Sequence, residues 1–580
     1  MTPTDQIRAA IAADKAYADP ALWLHRVPDD ALLARAAMLD AEGPSGRPLW
    51  GVPVAVKDNI DVAGMPTTAA CPDYAYQPDE DSPAVARLLA AGAVVMGKTN
   101  LDQFATGLVG VRSPYGVPRN AFDAARVPGG SSSGSAVAVA AGIVPVSLGT
   151  DTAGSGRVPA AFGNIVGLKP TLGAVPARGV VPACRSIDTV SVFARTVDEA
   201  LGVLRVIAGW DAADPYSRQA PPGWGRRGAR TAGRVAVADD LSACTPAVAA
   251  LVQRAAASVG GEPVPIKPFL ELARLLYDGP WVAERTSALR PMLDRPDGLH
   301  PVTRAILAGG LERRTVDAFD AFHLQAQARW QAEALFGEYE ALLVPTAPFC
   351  PTLAELDADP IGPNSRLGTY TNWVNLCGLC AIAVPAGMAR DGPVGITVIG
   401  PAWAEGRIAA LADVLHRAAT DTVGATGTPL PPAATPDLLA ADETALFCIG
   451  AHMAGLPLNG QVTALGGRFL RAAQTRPEYR LFALGPRPGL VRGGTGTVVG
   501  EVWALPTAAI GTLLAQVPPP LGFGTVLLED GPCLSFLAES AGVEGAQDIT
   551  ALGGWRAYLV QLGSQGIPAR TATSSVWFTG

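Results

Sequence analysis

Val127 to Arg157 reads VPGGSSSGSAVAVAAGIVPVSLGTDTAGSGR: a Gly/Ser-rich turn, a helix of small residues, and an apolar strand ending in a second Gly/Ser turn. One tight unit joins the two hydroxyl-rich turns, so Ser131 and Ser155 can meet, and glycines let backbone N–H groups approach a reacting carbonyl unobstructed. With Ser155 as nucleophile, DTAGS would gather the N–H groups of Thr152, Ala153, Gly154 and Ser155 around one point, as an oxyanion hole requires. A phosphate-binding loop is the plain alternative, but GGSSSGS lacks the Gly-Lys-Ser/Thr ending of a P-loop. The block contains no base.

Lysine usage supplies one. Of 44 basic residues only five are lysines, Lys15, Lys57, Lys98, Lys169 and Lys267. A lysine can do what arginine cannot, which is to lose its proton near neutral pH once burial lowers its pKa. Lys57 closes GVPVAVK, an alternating apolar run that reads as a strand. A histidine base is the rival; the five histidines (His25, His300, His323, His416, His452) all lie far from the block in sequence, which does not exclude contact in space.

Outward from this centre, residues 1–45 read as helical, with Asp29 and Asp30 capping ALLARAAMLDA. From 50 to 210, short apolar runs (VPVAV, AVVMG, IVPVSLG) alternate with Ala-rich helical stretches, the pattern of a mixed α/β sheet covered by helices. Strands RVAVAD and ALLVPTAP and helices over 246–259, 268–294, 315–337 and 405–419 continue it. The aperiodic Thr/Pro/Ala/Gly stretch at 421–441 reads as a linker between a domain at 1–420 and a small α+β domain at 442–580, whose short strands include FCIGAHMAG, RLFALGP, TGTVVGEVWALP and GTVLLEDG.

A net charge of -8 and the absence of a basic run argue against nucleic acid as a partner and favour a small-molecule substrate. No run of about 18 apolar residues predicts a membrane span, and the opening MTPTDQIRAAIAADKA lacks the features of a secretion signal, so a cytoplasmic protein is expected. Eight scattered cysteines read as buried thiols; the pair Cys377 and Cys380 has no neighbouring His or second CxxC to complete a metal site, and no metal or cofactor is expected.

VPVAVKD, the serine after Gly129-Gly130 and the DTAGS turn resemble the amidase signature family over about residues 20–420. The resemblance implies the amidase signature fold and a Ser–cisSer–Lys triad of Ser155, Ser131 and Lys57, in which neutral Lys57 takes a proton from Ser155 through Ser131 while Ser155 forms an acyl-enzyme. Asp151 and Arg157, flanking the nucleophile turn, are expected to fix it by hydrogen bonds.

LYDGPWVAERTSAL at 276–289 resembles the allophanate hydrolase branch of that family, which implies that Tyr277 and Arg285 hold allophanate, an anionic urea derivative. On residues alone, the same pair could simply anchor a helix to the core. The tail, with GAHMAGLPLNGQ and TGTVVGEVWALP, resembles the C-terminal domain of allophanate hydrolases, itself similar to the γ-glutamylcyclotransferase fold. That resemblance implies a second step at His452, decarboxylation of N-carboxycarbamate, although a structural histidine is an equal reading; Glu501 lies in the strand that carries the acidic residue of that fold and is given no chemistry. A homodimer is implied as well. With no AMKM-like biotin-attachment motif present, a urea carboxylase supplying the substrate would be a separate polypeptide; biuret and triazine breakdown are other sources. The alternatives are a broad-specificity amidase of the same fold, the amidase-fold component of a glutamyl-tRNA amidotransferase, and a non-catalytic scaffold.

Overall fold

The computed structural model describes residues 1–229 and 233–564. Two compact units divide them: 1–220 with 234–434, and the described parts of 221–233 with those of 435–580.

The first unit is built on eleven strands: β1 (Trp23–Arg26), β2 (Pro53–Lys57), β3 (Val94–Thr99), β4 (Val146–Asp151), β5 (Val166–Lys169), β6 (Thr189–Ala194), β7 (Val235–Ala238), β8 (Glu262–Val264), β9 (Ala341–Pro345), β10 (Cys380–Ala389) and β11 (Gly392–Gly400). They form one mixed sheet in the order β1-β3-β2-β4-β6-β5-β10-β11-β9-β7-β8. β2 runs parallel to both its neighbours, β3 and β4, and every one of its residues is buried. Covered faces explain the short, almost continuous apolar runs read in the sequence. Pro53 stands at the start of its strand, a position where a proline is tolerated in a sheet.

The helix Ser133–Ala140 is buried on all sides, which its small residues permit. A Cβ on Gly134 would lie 2.8 Å from the Leu22 carbonyl oxygen and 2.9 Å from the Asn100 nitrogen, so glycine allows this close approach. Hydroxyls staple the helix to β4: Ser135 Oγ donates to Leu148 O at 2.8 Å, and Ser147 Oγ to Ser135 O at 2.7 Å.

Three sequence readings need revision. Residues 1–45 are not one helical stretch, because β1 separates Pro3–Tyr17 from Asp29–Glu42. The cap of Asp29–Glu42 is Pro28, with no side-chain cap bond; Asp29 instead pairs with Lys15 at 2.7 Å and Arg26 at 3.1 Å. The helix expected over 268–294 breaks into Lys267–Asp278, Trp281–Leu289 and the 3₁₀ turn Arg290–Asp294. Gly279-Pro280 causes the first break, since proline has no N–H and disfavours helix at the residue before it.

The second unit holds a five-stranded sheet in the order Arg468–Gln474, Val499–Pro506, Glu443–Cys448, Gly531–Ala538, Leu521–Leu528, and a three-stranded one of Arg487–Arg492, Tyr479–Leu484 and Gln547–Asp548. Leu446, Phe447, Val502, Trp503 and Tyr479 are among its core residues. The stretch expected to be a linker is split between the units. Within the first, Thr422–Val423 pairs with Thr428–Pro429, and the Ala425 N–H bonds to Ala140 O at 2.9 Å. Within the second, Arg468 gathers the carbonyls of Asp437 (2.6 Å) and Leu438 (2.8 Å) and grips Glu443 with Nε at 3.0 Å and Nη2 at 2.6 Å.

Burial works against the Glu443 carboxylate, but its hydrogen bonds to Arg468 and to the Ala440 N–H prevail and pull it down from the usual 4.5 to about 2. A carboxyl group depressed in the folded state stabilises fully above pH 4.5, and the contribution drains away as pH falls from there toward about 2. Glu443→Gln leaves a buried guanidinium short of its partner; it is expected to destabilise the second unit by about 3 kcal/mol at pH 7, read by hydrogen exchange of its core amides, with the difference from the parent shrinking on acidification.

Candidate active site

Lys57 ends β2 with no solvent exposure. Its Nζ donates to Ser131 Oγ at 2.8 Å and contacts Thr150 Oγ1 at 2.7 Å. Burial is the main force on the amine and lowers its pKa to about 7; Asp102, Asp151 and Asp188 oppose the shift, and Arg285 adds to it. Both partners are hydroxyls, which can accept from an ammonium or donate to a neutral amine. Ser131 follows a cis peptide bond from Gly130. The Ser131 carbonyl accepts the Asp102 N–H at 3.1 Å, and the next residue, Ser132, ties the two Gly/Ser turns together: its Oγ donates to Thr150 O at 3.1 Å.

Ser155 is buried in the turn between β4 and the short helix Val158–Phe162. Asp151 and Arg157 clamp that turn. Arg157 Nε and Nη2 reach the two oxygens of Asp151, each at 2.9 Å, and Asp151 Oδ2 also accepts the Gly156 N–H at 3.0 Å. Burial disfavours the Asp151 anion, yet Arg157 outweighs it and its pKa is lowered. Asn375 joins the clamp, accepting from Arg157 Nη2 at 3.0 Å and donating to Asp151 O at 2.9 Å. Gly154 has φ +143, and any side chain there would run into Thr371. Among the described residues no hydrogen bond takes up the N–H groups of Thr152, Ala153, Gly154 or Ser155. The Thr152 hydroxyl donates to Asp188 at 2.5 Å, and burial raises Asp188 to about 6.

The helix break at Gly279-Pro280 shapes the next pair. On an unbroken helix, residues eight apart are separated by about 12 Å along the axis. Here the Arg285 guanidinium lies 5.5 Å from the centre of the Tyr277 ring. Arg285 is buried, its Nη1 donating to Thr106 Oγ1 at 2.6 Å and to Ala105 O at 3.3 Å. Burial disfavours its charge, but Cys184, Tyr277 and Asp188 prevail and its pKa is raised. Among the described residues no carboxylate stands within ion-pair distance of it, a rare state for a buried guanidinium.

In the second unit, His452 has its ring stacked on Phe536, with centroids 4.7 Å apart, and Nε2 2.9 Å from Gln461 Oε1. Burial lowers its pKa. Glu501 is occupied by the Ala454 N–H (2.7 Å), Trp503 Nε1 (3.0 Å) and Arg556 Nη2 (2.7 Å).

Sequence reading missed Thr150, Asp188, Asn375, Thr106 and a further buried guanidinium, Arg112. Thr150 was visible as part of the hydroxyl-rich run at the end of β4, but only the pairing of β2 with β4 brings it to Lys57. The others lie on segments with no motif of their own.

The Amidase family model matches residues 7–409, and the Allophanate hydrolase C-terminal domain model matches residues 444–560. Urea amidolyase of Saccharomyces cerevisiae is 41% identical over 574 residues, covering 93% of this chain; the chain spans 31% of that relative's length. Urea amidolyase of Lachancea kluyveri is 40% identical over 573 residues, again covering 93% of this chain and 31% of its own. Among solved structures, Kluyveromyces lactis allophanate hydrolase superposes with a TM-score of 0.76 at 39% identity, covering 96% of each chain.

Asp151→Asn would leave the Arg157 guanidinium buried and uncompensated. The expected loss is about 3–5 kcal/mol of stability, measured by denaturant unfolding of the first unit.

Proposed function

The chain belongs to the Amidase family, and from that premise we propose that it hydrolyses allophanate through an acyl-enzyme on Ser155. The observation that carries the substrate assignment is Arg285, a buried guanidinium packed against Tyr277 with neutral acceptors on one edge and no carboxylate partner among the described residues. A buried charge without a carboxylate partner favours an anionic ligand, and the terminal carboxylate of allophanate suits a guanidinium fork. Likeness to Kluyveromyces lactis allophanate hydrolase along nearly the whole chain supports the same reading, as does the match of the C-terminal domain model.

In the proposed reaction Ser155 Oγ attacks the terminal urea carbonyl, its proton passing to Ser131 and the Ser131 proton to neutral Lys57. The oxyanion sits against the free N–H groups of the 152–155 turn. As the C–N bond breaks, the proton returns through Ser131 to the departing nitrogen, which leaves as ammonia. Water then attacks the acyl carbon along the same relay and releases N-carboxycarbamate. That product loses CO2 readily unaided, and the stacked, Gln461-bonded ring of His452 supports a packing role for that residue. Allophanate is a carboxylated urea, so a biotin-dependent urea carboxylase is a fitting supplier.

Ammonia release should be far faster from allophanate than from acetamide, malonamide or biuret. Arg285→Ala is expected to cut kcat/KM for allophanate by about 100- to 1000-fold and to erase that preference, as loss of charge-assisted hydrogen bonds implies. Equal turnover of neutral amides by the parent would favour a broad amidase. Ser155→Ala should abolish ammonia release with the fold intact.

The pH profile follows from the amine. Lys57 must be neutral to accept a proton, and its pKa stands near 7, so kcat/KM should rise with pH and level off above about 7. A profile flat from pH 5 to 9 would contradict a lysine base.

A further inference from the structure

We propose that Thr106 is a positioning residue that aims the Arg285 guanidinium at the substrate carboxylate, with Arg112 holding Thr106 in place. This rests on the reading of Arg285 as the carboxylate-binding group.

The Thr106 hydroxyl lies 3.2 Å from Phe104 O, to which it donates its one proton, so its lone pairs are left for Arg285 Nη1 at 2.6 Å. A planar guanidinium held at Nη1 by Thr106 Oγ1 and Ala105 O has one edge fixed, which sets the direction of its other N–H groups. Among the described residues the hydrogen-bond contact of Nη2 is to Cys184 Sγ at 4.0 Å, a weak acceptor, so that corner of the fork keeps donor capacity for an anion.

Thr106 is in turn held from behind. Arg112 Nη1 donates to Thr106 O at 2.9 Å, and Arg112 Nη2 to Pro360 O at 3.0 Å. The Arg112 backbone N–H bonds to Asp102 at 2.9 Å, and its carbonyl accepts the Gln103 N–H at 2.7 Å. Between these anchors Phe104 and Ala105 take φ of +51 and +52, a conformation that non-glycine residues adopt only when their surroundings impose it. Surrounding bonds do impose it: the Phe104 N–H reaches Ala69 O at 2.9 Å and the Thr106 N–H reaches Gln103 O at 3.0 Å. The same segment begins at Asp102, whose N–H bonds to Ser131 O. One short piece of chain therefore touches both the relay serine and the arginine that would hold the far end of the substrate.

Thr106→Val keeps the shape and deletes the acceptor; Thr106→Ser keeps the acceptor. Steady-state kinetics on allophanate should show KM raised about 10- to 100-fold in Thr106→Val with kcat within about threefold, and near-parent values in Thr106→Ser. Sulfonylation of Ser155 by uncharged methanesulfonyl fluoride should stay within about twofold of the parent rate in both, because it does not use Arg285. Thr106→Ala carries the same expectation should the valine variant not fold. An unchanged KM, or a raised KM accompanied by comparable losses in kcat and sulfonylation rate, overturns the proposal. Arg285→Ala measured alongside separates the two claims. Unchanged KM in that variant overturns the reading of Arg285 and this one with it, whereas raised KM there beside unchanged KM in Thr106→Val overturns the role of Thr106 alone.

Discussion

A lysine amine with no solvent exposure, held between two hydroxyls, is the constraint on which the rest of the first unit turns. Lys57 could be kept cationic by a carboxylate at its side, and the protein has buried carboxylates to offer. Asp102 directs its oxygens to the backbone N–H groups of Gly110 and Arg112, Asp151 to Arg157, and Asp188 to Thr152 and the N–H groups of Ala183 and Cys184. Their long-range pull on Lys57 remains, but burial outweighs it. The nearby Lys98 shows the contrast: it sits 3.4 Å from Asp58 and also contacts Thr67 Oγ1 at 2.8 Å. Burial lowers the pKa of Lys98 as well, against the pull of Asp58, so the two lysines differ in having or lacking a carboxylate neighbour rather than in the direction of the shift.

The same division separates the arginines. Arg157 is fully engaged by Asp151 and Asn375, and its task is to hold the turn that carries Ser155. Arg285 and Arg112 are equally buried, but among the described residues the hydrogen-bond partners of their guanidinium groups are carbonyl, hydroxyl and thiol groups. Burying a guanidinium without a carboxylate costs stability; Arg112 spends its N–H groups on backbone carbonyls that hold the chain, while Arg285 is the one packed against Tyr277, which is what the proposed function uses.

What could be read from the chain depended on whether the signal was local. The Gly/Ser turns, the small-residue helix and the strand leading to Lys57 were legible because each needs a particular residue type at a particular step: Gly134 for close approach, Gly154 for its backbone angle, apolar residues along β2 up to its terminal lysine. The alternation of strands and helices disclosed a mixed α/β sheet. The break at Gly279-Pro280 escaped because apolar periodicity continues through it, although the Gly-Pro pair is itself a turn signal. Residues 221–229 gave no sign of packing in the second unit: the Ala229 N–H bonds to Phe469 O at 2.9 Å and the Arg227 N–H to Asp437 at 2.6 Å, partners more than 200 positions away. Thr106 and Arg112 escaped for the same reason, since their value lies in what the fold brings to them.

Under the proposed function, these contacts would set the relay serine and the arginine on one support. Ser131 is fixed to the sheet through Lys57 and to the 102–112 segment through Asp102. Arg285 is fixed to that same segment through Ala105 and Thr106. Distances between groups sharing one rigid support vary little, and a small substrate gains most from such support because it has few atoms with which to correct a misplaced partner. A longer substrate could tolerate slack at its far end; the proposed anionic urea, only a few bonds from amide carbon to carboxylate, could not.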